Sequence, residues 1–453
     1  MKRKTRSTIA VISALCIAFG AMAGCGKKSN DADLTTTAPI SEKAEESNTS
    51  SVSEASSDSS STKAPENKST TKNGENKNTS YKIKYSGFVH NGDIYTHNNT
   101  DYCISGGKIY AVTGSKKTEL STNKKISHFN IINDKIYYTV IDEDHDTGTW
   151  ESSYVKCSCW RMDLDGKNPT QLTKSLSPSH GTYDIIYATE DTLYLSGMPT
   201  NEELGYGDNF YKYDIKSAKM SNVTKKDDNL QSFTYVDGYI VYTDAHTDPK
   251  SMAVYSYDIK KDTVKALDLY ANDIVKFNDN TVVLSRSAGI NAPSDSKEYL
   301  KGPGLLEYTP STGKTKTIVE YDRDNMDYNT GFHIFGSNIM EEVYFAPYKD
   351  AQGISKYSSA DGLKENLIKM ESEVLSNGSD IIFYDFCPDD NGYYISYSTE
   401  VEGERTCYLS YYPTNGQAKQ LYKSDDFIVS IGKNIILVDT GRDEYKIVDI
   451  PKK

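Results

Sequence analysis

Lys135-Ile136-Tyr137-Tyr138-Thr139 and, further on, Trp160-Arg161-Met162-Asp163-Leu164 are the two bursts on which the fold is read. Each alternates apolar and polar side chains with period two, the signature of a strand with a buried face. The first burst recurs as Asp93-Ile94-Tyr95-Thr96, Thr192-Leu193-Tyr194-Leu195-Ser196, Tyr239-Ile240-Val241-Tyr242-Thr243 and Thr281-Val282-Val283-Leu284-Ser285. It returns as Glu342-Val343-Tyr344-Phe345-Ala346, Tyr393-Tyr394-Ile395-Ser396 and Asn434-Ile435-Ile436-Leu437-Val438, making eight copies. The second burst follows with the same rhythm: Met162, Tyr213, Tyr257, Tyr308, Tyr357 and Tyr411 are spaced by 51, 44, 51, 49 and 54 residues.

An extended segment ending in a tight turn precedes the first burst, as in Phe88-Val89-His90-Asn91-Gly92 and Tyr235-Val236-Asp237-Gly238. A turn and a further strand follow the second, as in Asp165-Gly166-Lys167-Asn168 leading to Gln171-Leu172. Asn-Gly and Asp-Gly supply the positive φ that two-residue hairpins need. Four antiparallel strands in about 50 residues, repeated, make an all-β fold, a β-propeller of four-stranded blades. Eight copies predict eight blades, or seven should a weak unit not form one. The last unit, Phe427 to Ile450, runs out after three strands, while Tyr81-Lys82-Ile83-Lys84-Tyr85 is a spare strand before the first unit. The expectation is that this N-terminal strand closes the ring as the fourth strand of the final blade, removing exposed edges.

Upstream, the chain reads as two further regions. Residues 1–24 carry Lys2, Arg3, Lys4 and Arg6, then an apolar run from Ile9 to Phe19, the pattern of a signal peptide. The run is shorter than the roughly 20 apolar residues of a permanent span. Met22-Ala23-Gly24-Cys25 resembles the lipobox of bacterial lipoproteins, with methionine in place of the commoner leucine. The resemblance implies that Cys25 is acylated and becomes the first mature residue, holding the protein to a membrane by its lipid. Residues 25–80 are Ser, Thr, Asn, Lys and Glu with no aromatic residue, too polar to offset the entropy of ordering, and are expected to be a disordered tether. The propeller occupies 81–453.

A lipidated, stalked, Tyr-rich repeat of this kind resembles the TolB-like propeller lipoproteins of Gram-positive bacteria over residues 81–453. That resemblance implies a location on the extracytoplasmic face of the cell membrane. Loss of residues 1–24 would take the formal charge from −13 to −17, which argues against nucleic acid as a partner.

Within a blade, the loop after the second strand and the link to the next blade emerge at one end. That end carries the long insertions, roughly Ile141 to Ser152, Gly197 to Gly207, Asp244 to Lys250, Arg286 to Pro303 and Glu400 to Arg405. Loops on a rigid scaffold carry binding residues, so this end is the candidate ligand face. Trp150, Tyr206 and Asp208 sit on it, with Asp322 and Asp324 on a link between blades. Tyrosine and tryptophan among carboxylates suit a cell-surface glycan or a cationic peptide.

Asp142, Asp144 and Asp146 alternate ahead of Gly148, the spacing of a calcium loop, although Thr147 holds the glycine position and Ser153 the closing one. Calcium is the one candidate cofactor. Cys103, Cys157, Cys159, Cys387 and Cys407 lack the clustering of a zinc or redox site, and free, mostly buried thiols are expected. No nucleophile elbow, phosphate loop or dinucleotide fingerprint appears. The expected function is therefore a non-catalytic binding or scaffolding propeller. The alternative is a propeller enzyme acting on polysaccharide, a lyase or glycoside hydrolase, with catalytic acids drawn from the long loops.

Overall fold

The computed structural model describes residues 86–451 apart from 91–92, 122–124, 150–151, 199, 201–208, 225–229, 245–251, 287–301, 321–331, 336–340, 348–352, 370–380, 402–403 and 442–443. These residues form eight antiparallel sheets, the blades of an eight-bladed propeller. Blades 1 to 4 span 94–119, 126–171, 184–222 and 230–270. Blades 5 to 8 span 273–320, 332–369, 381–424 and 428–449. Six hold four strands in sequence order. Among the described residues blade 2 has a fifth and blade 8 has three.

Burial falls from the axis outward. Second strands are buried on both faces, as at Leu193–Leu195 and Val282–Arg286, while Lys116–Glu119, the outer strand of blade 1, is exposed throughout. Apolar side chains of each blade mesh with the next. Ile104 and Ile109 of blade 1 pack on Ile136 and Tyr138 of blade 2. The series returns to its start where Ile94, Cys103 and Val112 meet Ile435 and Leu437 of blade 8. No blade could hide both faces alone, which is why the repeat must close on itself.

A second device ties the blades. Inner strands carry a bulge, with register shifts at Ile126/His128, Ile185/Tyr187, Leu230/Phe233, Phe383/Asp385 and Ile428/Ser430. A bulge re-aims a side chain, and here the side chain reaches the next inner strand. His128 Nε2 accepts the Ile185 N–H at 2.8 Å, and Ser232 Oγ that of Ile274 at 3.0 Å. Asp385 Oδ2 accepts from Ile431 at 2.7 Å and Ser430 Oγ from Ile94 at 3.1 Å. In blade 3 the position holds Tyr187, whose ring stacks on Tyr235 at 3.8 Å.

Two placements in the first unit differ from the sequence reading. Asp93–Thr96 was expected to be a second strand, but Ile94–His97 is the first strand of blade 1. The tight turns at Asn98-Asn99 and Gly106-Gly107, all with positive φ, complete that blade by Glu119. The segment before it, Ser86–His90, instead pairs along the inner edge of blade 2, Ser86 opposite Ile132 and His90 opposite His128. Residues 81–85, expected to close the ring, lie outside the described residues.

In the described residues blades 1 and 8 are joined by side chains. Asp101 accepts three successive N–H groups, of Lys433, Asn434 and Ile435, at 3.0, 2.6 and 3.2 Å. Asn434 Oδ1 accepts the Gly114 N–H, and its amide donates to the carbonyls of Asn99 and Val112. Gly432 lies against this carboxylate. A Cβ there would stand 2.5 Å from Asp101 Oδ2 and 2.8 Å from Ile94 Cγ2. Gly432→Ala is expected to destabilise the propeller by about 1–3 kcal/mol, the usual cost of forcing a packed site apart. An unchanged urea midpoint would show that the seam yields freely.

Candidate functional site

Of the residues singled out in the sequence, Cys25, Trp150, Tyr206, Asp208, Asp322 and Asp324 lie outside the described residues. The calcium candidates lie inside them, Asp142 and Asp144 on a strand and Asp146 in the turn just beyond its end. The second strand of blade 2 runs Lys135–His145, eleven residues, and pairs through to Tyr154. The three carboxylates go to different partners. Asp142 accepts from Ser175 Oγ at 3.0 Å, Asp144 pairs with Lys125 at 3.5 Å, and Asp146 accepts the Gly148 N–H at 2.8 Å. Among the described residues no three His, Cys, Asp or Glu side chains gather as a metal site.

The same extension corrects the reading of Ile141–Ser152 and Glu400–Arg405 as loops. In blade 7 the paired strands Gly392–Val401 and Glu404–Pro413 leave only a tip between them. Glu400 and Arg405 face each other as a cross-strand ion pair, which favours the ladder over a loop. Second strands of eleven and ten residues in blades 2 and 7 contrast with six in blade 1 and five in blade 8. At about 3.3 Å per residue, the four to six extra residues let the two hairpins rise roughly 13–20 Å above the low blades between them.

Alternation decides which side chains the arms present. Trp160 packs toward blade 1, so Ser158, Lys156 and Tyr154 share its face. Tyr154 Oη donates to Glu143 Oε1 at 2.7 Å, and Lys156 Nζ donates to Glu143 Oε2 at 2.6 Å. His145 stacks on the Tyr154 ring at 4.9 Å. The hydrogen bonds from Lys156 and Tyr154 pull the Glu143 carboxyl below its usual range, and the bond to Glu143 raises both Lys156 and Tyr154. On the opposite arm Cys407 and Leu409 pack toward blade 8, which puts Arg405 on that face. Arg405 Nη2 donates to Glu400 at 3.3 Å and its guanidinium lies 5.3 Å from the Phe427 ring. Tyr384 and Ser398 share a hydroxyl–hydroxyl bond at 2.9 Å behind it. Sequence reading missed both sets. Their signal was paired charge and aromatic character at alternate positions on either side of a hairpin tip.

The buried ionisable groups are engaged elsewhere. His128 Nδ1 stands 2.9 Å from Asp184 Oδ1, and Thr139 Oγ1 lies 3.3 Å from Nε2 and 4.0 Å from Cys159 Sγ. Hydroxyl, imidazole and carboxylate in line suggest a nucleophile and its base. However, Nε2 already accepts a backbone N–H, so its proton sits on Nδ1, and the Thr139 hydroxyl donates to the Tyr183 carbonyl at 2.8 Å. The group is a blade-to-blade link. Arg286, 2% exposed, donates to the Gly302 carbonyl and to Glu320 at 2.8 Å. The five cysteines among the described residues are free. Burial pushes Cys103 and Cys157 up to about 12 and Cys407 to about 11, and raises Cys159 and Cys387, so these thiols stay protonated.

Blade order and strand pairing define the class: an eight-bladed propeller of antiparallel, four-stranded blades. No protein-family model matches the chain, and neither does any curated protein. Among solved structures it is similar to dipeptidyl peptidase 4 of Porphyromonas gingivalis, at 10% identity, TM-score 0.48, over 82% of this chain and 60% of that one. It is similar to Saccharomyces cerevisiae Sqt1, at 10% identity and TM-score 0.43, over 82% of this chain and 98% of that one. TolB from Acinetobacter baumannii is 12% identical with a TM-score of 0.31, over 61% of this chain and 62% of that one. These are distant likenesses of propeller fold.

Proposed function

We propose that the protein is a bacterial lipoprotein, held by acylated Cys25 on the extracytoplasmic face of a Gram-positive cell membrane. Its propeller binds or scaffolds a cell-surface glycan or protein without catalysing a reaction, and residues 25–80 are its tether. The observation that carries the non-catalytic reading is the use of the buried ionisable groups. Asp101, Asp385, the His128–Asp184 pair and the Arg286–Glu320 pair each hold strands or blades together. On the two arms Glu143 is paired with Lys156 and Glu400 with Arg405.

Labelling cells with a fatty-acid probe tests the anchor. The wild-type chain is expected to carry label and to sediment with membranes. Cys25→Ala is expected to lose essentially all label and to leave the membrane fraction. Equal labelling of both chains would end the anchor reading. Incubation with cell-wall polysaccharide is expected to release no shortened or unsaturated product. Product formation would establish a lyase or hydrolase instead.

A further inference from the structure

The two tall arms stand on blades 7 and 2, and between them lie blades 8 and 1, whose own second-to-third turns are low. Blades 8 and 1 also meet at the one junction that no chain connection crosses within the described ring. Packed sheets stand about 10 Å apart, so three blade-to-blade steps separate the arms by roughly 30 Å along the rim. A trough of that length, walled at both ends, exceeds the reach of a drug-sized molecule and fits a polymer.

The charge of the walls narrows the polymer. Glu143 is paired with Lys156 and Glu400 with Arg405, while Asp142, Asp144 and Asp146 on one arm and Glu404 on the other leave both walls acidic. Asp425 and Asp426 in the blade 7–8 link and Asp439 at the top of blade 8 are acidic, which repels a polyanion. What the walls do offer is hydrogen bonding held in fixed geometry. The side chains of Glu143 and Glu400 are 44% and 48% exposed, and those of Lys156 and Arg405 are 35% and 33% exposed, half-engaged and half-open. Carboxylates and a guanidinium held this way, fixed by the neighbouring rings of Tyr154 and Phe427, match the vicinal hydroxyls of sugars.

From this geometry we infer that the arms of blades 2 and 7 together hold one neutral, extended glycan strand lying across the blade 8–blade 1 seam. The inference rests on the reading of the propeller as a binding module and names its ligand class. It carries a further consequence. A strand gripping both arms spans the seam from outside, so binding and ring closure are thermodynamically linked, and a bound chain raises the unfolding temperature. A chain too short to reach both arms has no such leverage.

The test uses the full mature chain in detergent, with β-1,4-linked N-acetylglucosamine oligomers as probes, a dimer and an octamer. The octamer is expected to bind in calorimetry and to raise the unfolding temperature, while the dimer does neither. Tyr154→Ala on one arm and Arg405→Ala on the other are each expected to weaken octamer binding roughly tenfold or more, as loss of a central contact does. Circular dichroism and the ligand-free melting temperature establish that each variant is folded. Should a variant fail that check, Lys156→Gln and Glu400→Gln take its place, at the rim of the same walls. Absence of octamer binding, loss confined to one arm, or displacement of the octamer by polylysine would overturn the inference. Octamer binding accompanied by cleavage would uphold the two-armed trough and sink only the non-catalytic reading.

Discussion

Replacing Asp101 by alanine will cost the propeller about 3–5 kcal/mol, the penalty for breaking a buried charged network and leaving its partners unmatched. Three consecutive N–H groups of blade 8 and the Thr96 hydroxyl converge on this carboxylate, which is fully buried. Water cannot replace it, because the apolar contacts of Ile94 and Ile435 seal the site. Burial raises its pKa against the pull of those hydrogen bonds, so the site opposes charge even as it matches the carboxylate's shape. Asp101→Asn keeps one acceptor oxygen and is expected to lose less. Urea unfolding measures both. A shift below about 1 kcal/mol for the alanine variant would place the strength of the seam elsewhere, in apolar packing.

Stability is expected to rise as pH falls from about 8 toward 4, and Asp385 is the main reason. Burial pushes its carboxyl up to about 7, with Asp93 adding to the shift. The unfolded chain releases that proton near pH 4. Between those values the native protein holds a proton that the unfolded chain lacks, so the contribution is complete below about pH 4 and disappears as pH climbs through 7. Three units of difference correspond to about 4 kcal/mol. Comparing the wild-type chain with Asp385→Asn isolates the term from other carboxylates, and the variant's stability is expected to vary less across this window. Parallel curves would show that Asp385 is ionised throughout.

Much of the fold was legible in the sequence because its cause is local. A burst such as Thr192-Leu193-Tyr194-Leu195-Ser196 reads as a strand with a buried face, and Asp237-Gly238 as a tight turn. Seven of the eight first bursts became second strands. The exception, Asp93–Thr96, failed because nothing in its own residues distinguishes a first from a second strand. That choice was made by the turn at Asn98-Asn99 and by the inner edge of blade 2, which took Ser86–His90. Strand length also escaped the reading. Ile141–His145 and Glu400–Val401 look like polar loops until their partners across the hairpin are known, since pairing is a property of two segments. The links at His128, Asp385 and Ser430 were invisible for a related reason. Their bulges have no signature beyond a polar residue two places after an apolar one.

The contacts that complete the ring join residues more than 330 positions apart, Asp101 with Lys433 to Ile435. Pairings so remote in sequence form late, because the intervening chain must be gathered before they return any energy. During vectorial synthesis blade 1 therefore emerges with half of its interface missing and waits for the rest of the ring. Over that interval Ile94, Cys103 and Val112 are an open apolar flank, and it is there that a slow or crowded folding reaction would trap a neighbouring chain. Weakening the closing contacts should thus appear first as poor yield during production, well before any change is visible in the finished molecule.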